Sequence, residues 1–285
     1  MLVNNTIYLN IFFKYYTIIL TIALLSSGCV SKLSPKVRQY TADTVAQSGN
    51  LVQQKIATDD FLLTTYQRFD STADNKQMVV YIEGDGMAWI SRDQLSSNPT
   101  PVQPIALKLA SIDTNVNVLY IARPCQYLWP QKMNRCSSRY WSDKRGSEEV
   151  ISSINQAISI VKQKQNISSI RLIGYSGGGG IATLIADRRA DVNEFVSVSG
   201  NLNYKLFTQT HNLSPMNGSI DPITVANQIG SIPQIHYVGA DDKIIPKQIA
   251  LSFSDKVKVI SDVSHDNWPD KWAQILRTIN HDLSP

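Results

Sequence analysis

The stretch Ile170-Arg-Leu-Ile-Gly-Tyr-Ser-Gly-Gly-Gly-Gly180 gives the clearest indication of the fold of this chain. Its apolar first half predicts a buried strand, and residues 181–188 after the glycines predict a helix. The backbone then passes from strand to helix through a sharp turn with Ser176 at its apex. Small neighbours suit such a crowded turn, which leaves the serine hydroxyl accessible. The N–H groups that follow lie at a helix N-terminus, where they can stabilise a developing negative charge.

Other interpretations of this turn are open. A glycine-rich turn between a strand and a helix can bind phosphate, but a P-loop needs a lysine after its glycines and none follows here. A dinucleotide-binding fingerprint belongs early in a chain, whereas this turn lies in the middle. A purely structural turn is the remaining alternative.

The segment Gly174-Tyr-Ser-Gly-Gly178 has the form Gly-x-Ser-x-Gly and resembles the nucleophile elbow of the α/β-hydrolase family. The resemblance covers the chain from Met78 to its end. It implies an α/β-hydrolase fold, with a mostly parallel central sheet and helices on both faces, and a serine hydrolase that needs no cofactor and no metal. The alternation of predicted strands and helices from Met78 onward agrees with that fold.

The resemblance also assigns an oxyanion hole. Residues 78–82 predict a strand, and Glu83-Gly-Asp-Gly86 follows it where many family members have His-Gly-x. In the family, the loop after this strand donates the second oxyanion N–H group, beside the N–H of the residue after the nucleophile. These roles fall to Asp85, with Gly86 as the alternative, and to Gly177. An ordinary turn of glycine and aspartate is the other interpretation.

Asp242 and His265 complete a predicted catalytic triad. Residues 239–246 resemble the family's Gly-x-x-Asp-x-x-Val-Pro, which assigns the acid to Asp242, with Asp241 as the alternative. Among the four histidines, His265 is the one in a loop after the last predicted strand, where this fold has its base. The order Ser176, Asp242, His265 is that of the family. An Asp-Asp turn that only caps the next helix is the competing interpretation of the acid.

Residues 1–28 have the pattern of a signal peptide. The apolar stretch 15–25 follows Lys14 and is short for a membrane span. Ser-Ser-Gly before Cys29 resembles a bacterial lipobox, although Ser26 stands where lipoboxes usually have leucine. The resemblance implies lipidation of Cys29 and attachment to a bacterial cell envelope, at the outer membrane or the periplasmic face in a Gram-negative cell. An uncleaved anchor, or cleavage elsewhere, is the alternative.

With Cys29 lipidated, Cys125 and Cys136 remain as a pair among the three cysteines. An exported protein meets an oxidising compartment, so we expect a disulfide between them, with free thiols as the alternative. The strand end Arg123-Pro-Cys-Gln126, the second cysteine and Tyr140-Trp141 resemble an uncharacterised group of bacterial α/β-hydrolase lipoproteins. Together with Tyr127 and Trp129, these residues predict a rigid loop near the mouth of the site. A stapled loop without substrate contact is the alternative.

Domain organisation follows from composition. Residues 29–50 are polar and predict a lipidated tether, and residues 51–285 predict one hydrolase domain that begins with two antiparallel edge strands over 51–68. Residues 200–230 are rich in Asn, Ser, Gly and Pro and predict a lid-like excursion, or else a plain long loop. The net charge of +4 is spread along the chain without a Lys/Arg block, which argues against a nucleic-acid partner.

The function predicted from these features is hydrolysis of an acyl ester by a Ser-His-Asp triad, as in a carboxylesterase or a lipase-like enzyme. Its substrate is a small molecule or a lipid, and its contact with the membrane is the lipid anchor. Peptidase, thioesterase and acyltransferase activities are the alternatives on the same fold. A lipid-anchored binding protein without turnover is the alternative outside the enzymes.

Overall fold

The structure, a computed structural model, describes residues 34–128 and 135–282. Its strands are β1 (Val52–Ala57), β2 (Leu62–Arg68), β3 (Gln77–Ile82), β4 (Val118–Ile121), β5 (Ser169–Tyr175), β6 (Val192–Val198), β7 (Gln234–Gly239) and β8 (Val257–Ile260). In the described part of the chain they form one sheet in the order β1-β2-β4-β3-β5-β6-β7-β8. The β1–β2 and β2–β4 pairs are antiparallel, and every other neighbouring pair is parallel.

Helices cover both faces of this sheet. They are α1 (Pro35–Ser48), α2 (Ile105–Ile112), α3 (Glu148–Lys164), α4 (Gly177–Ala186), α5 (Tyr204–Thr210), α6 (Lys247–Leu251) and α7 (Pro269–Asp282), with short 3₁₀ helices at Ser138–Trp141 and Pro222–Val225. Side chains alternate along each strand, so Val80 and Leu172 pack with α3 and α4, while Tyr81 and Ile173 pack with α1, α2 and α7. The predicted α/β-hydrolase fold is confirmed.

The parallel strands bring distant parts of the chain to one edge of the sheet. The loops after β3, β4, β5, β7 and β8 carry Asp85, Arg123, Ser176, Asp242 and His265. Parallel strands end at the same edge, and that edge is where open α/β sheets bind their ligands. The strand order therefore explains how residues up to 180 positions apart in the chain meet at one site.

The structure corrects the predicted tether over residues 35–48. These residues form α1, in which Ala42 and Ala46 are fully buried against α2 and Arg38 is also buried. The polar composition hid this helix because its buried stripe consists of small residues, while the opposite face is exposed. The folded domain therefore includes α1 and does not begin at residue 51. The predicted signal peptide over residues 1–28, Cys29 and residues 30–33 lie outside the described residues.

β1 and β2 form the predicted antiparallel pair, but only β1 lies at the edge because β2 also pairs with β4. Among residues 34–128 and 135–282, no helix is long and apolar enough to cross a membrane.

Candidate active site

Ser176 occupies the sharp turn that the sequence predicts. β5 ends at Tyr175 and α4 begins at Gly177, so the turn between them is a single residue with φ 52° and ψ −123°. A positive φ is unusual for a residue other than glycine and marks a strained backbone. Gly174 and Gly178 are needed for packing, because a Cβ on either would lie 2.4 Å or less from a backbone carbonyl oxygen. The elbow is thus shaped by close backbone contact on both sides of the serine.

The three side chains predicted as a triad form one hydrogen-bonded chain. Nε2 of His265 lies 3.1 Å from Oγ of Ser176, and Nδ1 of His265 lies 2.9 Å from Oδ2 of Asp242. A histidine held between a carboxylate and a hydroxyl can accept the hydroxyl proton at one nitrogen while the other nitrogen donates to the carboxylate. The arrangement can therefore generate a nucleophilic serine.

The Asp242 carboxylate is held at four points. Oδ1 accepts hydrogen bonds from the backbone N–H groups of Ile244 (2.9 Å) and Ile245 (2.8 Å), and Oδ2 accepts one from Ser199 Oγ (2.5 Å) besides that of His265. Burial acts to raise the pKa of Asp242, but the hydrogen bond and attraction of His265, with the bonds from Ser199 and Ile245, bring the pKa below its usual value. The group facing His265 is thus an ionised carboxylate.

Asp241, the alternative acid, is exposed, and its backbone N–H donates to the carbonyl of Val263. The histidine bonds to the neighbouring carboxylate of Asp242. The geometry therefore favours Asp242 over Asp241 as the partner of His265.

Hydrogen bonds that hold the Asp242 carboxylate from behind were not predicted from the sequence. Ser199 has φ 46°, donates its hydroxyl to Asp242 and accepts a 2.9 Å hydrogen bond from Nε1 of the fully buried Trp268. Tyr175 holds the loop that carries His265, because its hydroxyl donates to Oδ1 of Asp266 (3.0 Å) and contacts the carbonyl of His265 (3.1 Å). Only their positions in the sequence could have indicated these residues, because each lies within three positions of a strand end or of a triad residue.

The two residues predicted to form the oxyanion hole lie in contact. A Cβ on Gly177 would be 2.2 Å from Oδ1 of Asp85, so the loop after β3 packs directly on the start of α4. The N–H of Gly177 belongs to the first helical residue and has no acceptor within the helix. Gly86, the alternative donor, is exposed and has φ 66°. Their assignment as oxyanion donors stays a prediction.

Two arginines fix the Asp85 side chain. Arg123 Nη1 lies 3.1 Å from its Oδ1, and Arg145 Nη1 lies 2.6 Å from its Oδ2. Burial acts to raise the pKa of Asp85, but attraction to Arg145 and Arg123 outweighs it, so the pKa lies below its usual value. The carboxylate beside the nucleophile is therefore ionised and its charge is compensated. Arg145 carries no motif that would have marked it in the sequence.

The disulfide-linked turn supports the Asp85 loop from behind. Cys125 and Cys136 are bonded, and the turn includes Cys125 with φ 71°. Gln126 accepts a hydrogen bond from the backbone N–H of Arg123 and donates one to the carbonyl of Gly84, both at 3.0 Å. The Arg-Pro-Cys-Gln strand end thus holds the segment that bears Asp85.

The aromatic residues of that turn do not line the cavity over Ser176. Tyr127 is buried, Tyr140 packs edge-on against Phe61 at 4.8 Å, and Trp141 donates to the carbonyl of Ser96 at 3.0 Å. For these residues the structure corrects the predicted loop at the site mouth, because their side chains fill the core under the loop. Trp129 lies outside the described residues.

Two adjoining cavities open at the site. The serine cavity has a volume of about 580 Å³ and includes Ser176, His265 and Asn201 in its wall, and a second cavity of about 550 Å³ lies beside it. The cavities share Trp89, Arg145 and Phe207. Phe207 belongs to α5, and residues 213–216 line the second cavity, so the predicted lid segment 200–230 contributes to both walls. Among the described residues, no three His, Cys, Asp or Glu side chains are grouped to hold a metal ion.

Comparison with known proteins places this geometry in context. The family model described as serine hydrolase (FSH1) matches residues 100–266, more than half of the chain, and that range includes Ser176, Asp242 and His265. No curated protein matches the chain significantly.

Several solved structures share the fold. Est1E from Butyrivibrio proteoclasticus has a TM-score of 0.57 at 12% identity and covers 81% of this chain and 98% of its own. The Pyrococcus furiosus esterase PF2001 has a TM-score of 0.54 at 12% identity, covering 82% and 91%. An alpha-beta serine hydrolase homologue from Coxiella burnetii has a TM-score of 0.52 at 13% identity, covering 79% and 96%. At these identities the likeness shows the fold alone.

Proposed function

The chain belongs to the FSH1 serine hydrolase family, and we propose that it hydrolyses carboxylic esters through an acyl-enzyme on Ser176. The observation that carries the proposal is the hydrogen-bonded chain from Ser176 through His265 to Asp242, with distances of 3.1 Å and 2.9 Å, in the wall of an open cavity. A serine in this setting is activated for attack on an acyl carbonyl.

In the proposed mechanism, Oγ of Ser176 attacks the ester carbonyl carbon while Nε2 of His265 takes the hydroxyl proton. The imidazolium then gives that proton to the departing alcohol as the C–O bond of the ester breaks. Water then attacks the acyl carbon while His265 takes a water proton; the bond from the acyl carbon to Oγ breaks, His265 returns the proton to Oγ of Ser176, and the carboxylic acid leaves. Asp242 keeps the histidine in the tautomer with Nδ1–H and stabilises its cation throughout. Ionised Asp242 suits this role because its pKa lies below the usual value.

We assign stabilisation of the tetrahedral oxyanion to the backbone N–H groups of Gly177 and Asp85. Support comes from the contact between these two residues and from the position of Gly177 at the start of α4. The Asp85 carboxylate beside the site would repel an oxyanion, and its pairing with Arg123 and Arg145 compensates that charge.

The proposed substrate is an ester with an apolar acyl group, from a small molecule or a lipid. Support comes from the wall of the serine cavity, where Met87, Trp89, Val102 and Phe207 surround the approach to the nucleophile. Such a wall favours apolar groups over peptide chains with several charges. We further propose, from the sequence of residues 1–29 alone, that lipidated Cys29 holds the enzyme at a bacterial cell envelope.

The proposal is tested with p-nitrophenyl esters of graded chain length and with matched amide and thioester substrates. Wild type should hydrolyse the esters best, and Ser176→Ala should lower kcat by roughly 10⁴-fold to 10⁶-fold because the nucleophile is lost. Ester turnover by the folded Ser176→Ala variant at the wild-type rate would contradict the proposal. If wild type cleaves the amide or the thioester faster than the ester, that class of compound becomes the proposed substrate in place of the ester.

A further inference from the structure

Exposed apolar side chains are concentrated at the mouth of the two cavities. Trp89, Ile90, Val102, Leu213 and Ile244 line one or both cavities and are between 39% and 53% exposed. They make up five of the eleven exposed large apolar side chains in the described part of the chain. Single exposed apolar residues are ordinary, whereas a contiguous patch marks a contact surface. We call these five residues the apolar rim.

The rim is assembled from separate parts of the chain. Trp89 and Ile90 follow β3, Val102 precedes α2, Leu213 follows α5, and Ile244 follows β7. They surround two adjoining cavities, because Trp89, Arg145 and Phe207 belong to the walls of both. A local excess of apolar residues in one loop therefore does not explain the patch.

The N-terminal end of the described chain lies beside the rim. Nη1 of Arg38 contacts Sδ of Met87 at 3.3 Å and donates to the carbonyl of Asn98 at 3.2 Å. Met87 is part of the serine cavity wall, next but one to Trp89. The backbone N–H of Arg38 donates to the carbonyl of Ser34 at 3.1 Å, so the first described residue is one helical turn away. The first turns of α1 also expose Val37 and Tyr40.

Chain length then limits the distance between the rim and the preceding segment. The five peptide steps from Cys29 to Ser34 span at most about 18 Å when fully extended. The apolar stretch 15–25 and Cys29 are the membrane-seeking parts of the sequence. A lipid on Cys29 would hold Ser34 within that distance of a bilayer, and an uncleaved apolar stretch, which ends nine steps before Ser34, within about 32 Å. Either anchor favours an orientation with the face beside the start of α1 toward the membrane.

We propose that the apolar rim docks on the surface of a lipid bilayer, with Trp89 and its neighbours inserted among the lipid head groups and upper acyl chains. Tryptophan suits that depth because its ring is apolar and its N–H is polar. Two exposed basic residues, Arg92 and Lys243, lie within two positions of rim residues in the sequence, and exposed Asp93 and Asp241 offset their charge. The contact is therefore mainly apolar. When the protein is docked in this orientation, its serine cavity opens toward the bilayer.

The test uses the protein as purified from membranes, reconstituted into vesicles of phosphatidylcholine with brominated acyl chains. Bromine quenches tryptophan emission at close range, and the difference between wild type and Trp89→Phe isolates the emission of Trp89. We expect that component to lose most of its intensity in brominated vesicles compared with vesicles of ordinary phosphatidylcholine. Equal Trp89 emission in both kinds of vesicle would overturn the proposal.

A matched control uses an exposed apolar residue outside the rim. Ile160 lies on α3 and is 44% exposed. In the Trp89→Phe background, Ile90→Trp should create a quenched component and Ile160→Trp an unquenched one. Equal quenching at both positions would also overturn the proposal, because vesicles would then touch the domain without preference. No ester turnover enters this assay, so failure of the docking and failure of the proposed esterase activity are separate results.

Discussion

Exchanging Asp242 for asparagine tests whether its carboxylate sets the tautomer of His265. Oδ1 of Asp242 accepts hydrogen bonds from two backbone N–H groups, of Ile244 and Ile245, and only an oxygen satisfies both. In Asp242→Asn the amide NH₂ group therefore replaces Oδ2, the atom that faces Ser199 and His265. The amide then donates to Nδ1 of His265, which must become an acceptor.

That change of tautomer has a predictable consequence. Nε2 of His265 then carries the proton and points at Oγ of Ser176, so it is unable to take the serine proton. The loss of kcat known for this exchange in other triads is roughly 10⁴-fold, or about 5.5 kcal/mol in the barrier. We expect a loss of that order here, because the acid, base and hydroxyl have the same linear connection.

The assay measures kcat for p-nitrophenyl acetate at neutral pH, with circular dichroism to establish that each variant is folded. Asp241→Asn is the matched control: its side chain is exposed and His265 bonds to the neighbouring residue, so kcat should change less than about twofold. A larger loss in Asp241→Asn than in Asp242→Asn would refute the assignment of the acid. Full activity in both variants would refute a catalytic role for the carboxylates of Asp241 and Asp242.

Three further changes test the surroundings of the site. Burial raises the pKa of Glu83 to about 7, so ionisation in the unfolded chain should lower stability by up to roughly 3 kcal/mol as the pH rises from 4.5 to about 7. Urea titrations should show that loss in wild type but not in Glu83→Gln, and an equal loss in both would contradict it. Replacing Cys125 and Cys136 together by serine should lower the unfolding free energy by roughly 3 kcal/mol, given their separation of 11 residues, and an unchanged urea midpoint would count against this. Gln126→Leu should lower kcat roughly tenfold with KM nearly unchanged, because it frees the Gly84 carbonyl; an effect on KM alone would exclude a positioning role.

Local patterns made the centre of the fold predictable. The run from Ile170 to Gly180 combines a buried strand, a crowded turn and a helix in adjacent residues, so each part constrains the next. The positions of Asp242 and His265 came from resemblance together with the strands before them. The order of parallel strands then brings such loop residues to one edge.

Features that depend on distant contacts were not predictable. The hydrogen bond from Trp268 to Ser199 joins residues 69 positions apart, and the pairing of Asp85 with Arg145 spans 60. Neither pair has a sequence signature, because each is set by how the loops fold over the sheet. The helix at residues 35–48 was missed for a different reason, since the alanines on its buried stripe give a weak apolar signal.

The proposed mechanism depends on Ser176 being an activated nucleophile. The most direct test is labelling of the folded, disulfide-bonded protein with a fluorophosphonate, followed by mass spectrometry of its peptides. We expect one phosphonyl group on the peptide that carries Ser176 in wild type, and no label in Ser176→Ala or His265→Ala. Wild-type protein that stays unlabelled, or that carries the label on another residue, would contradict it.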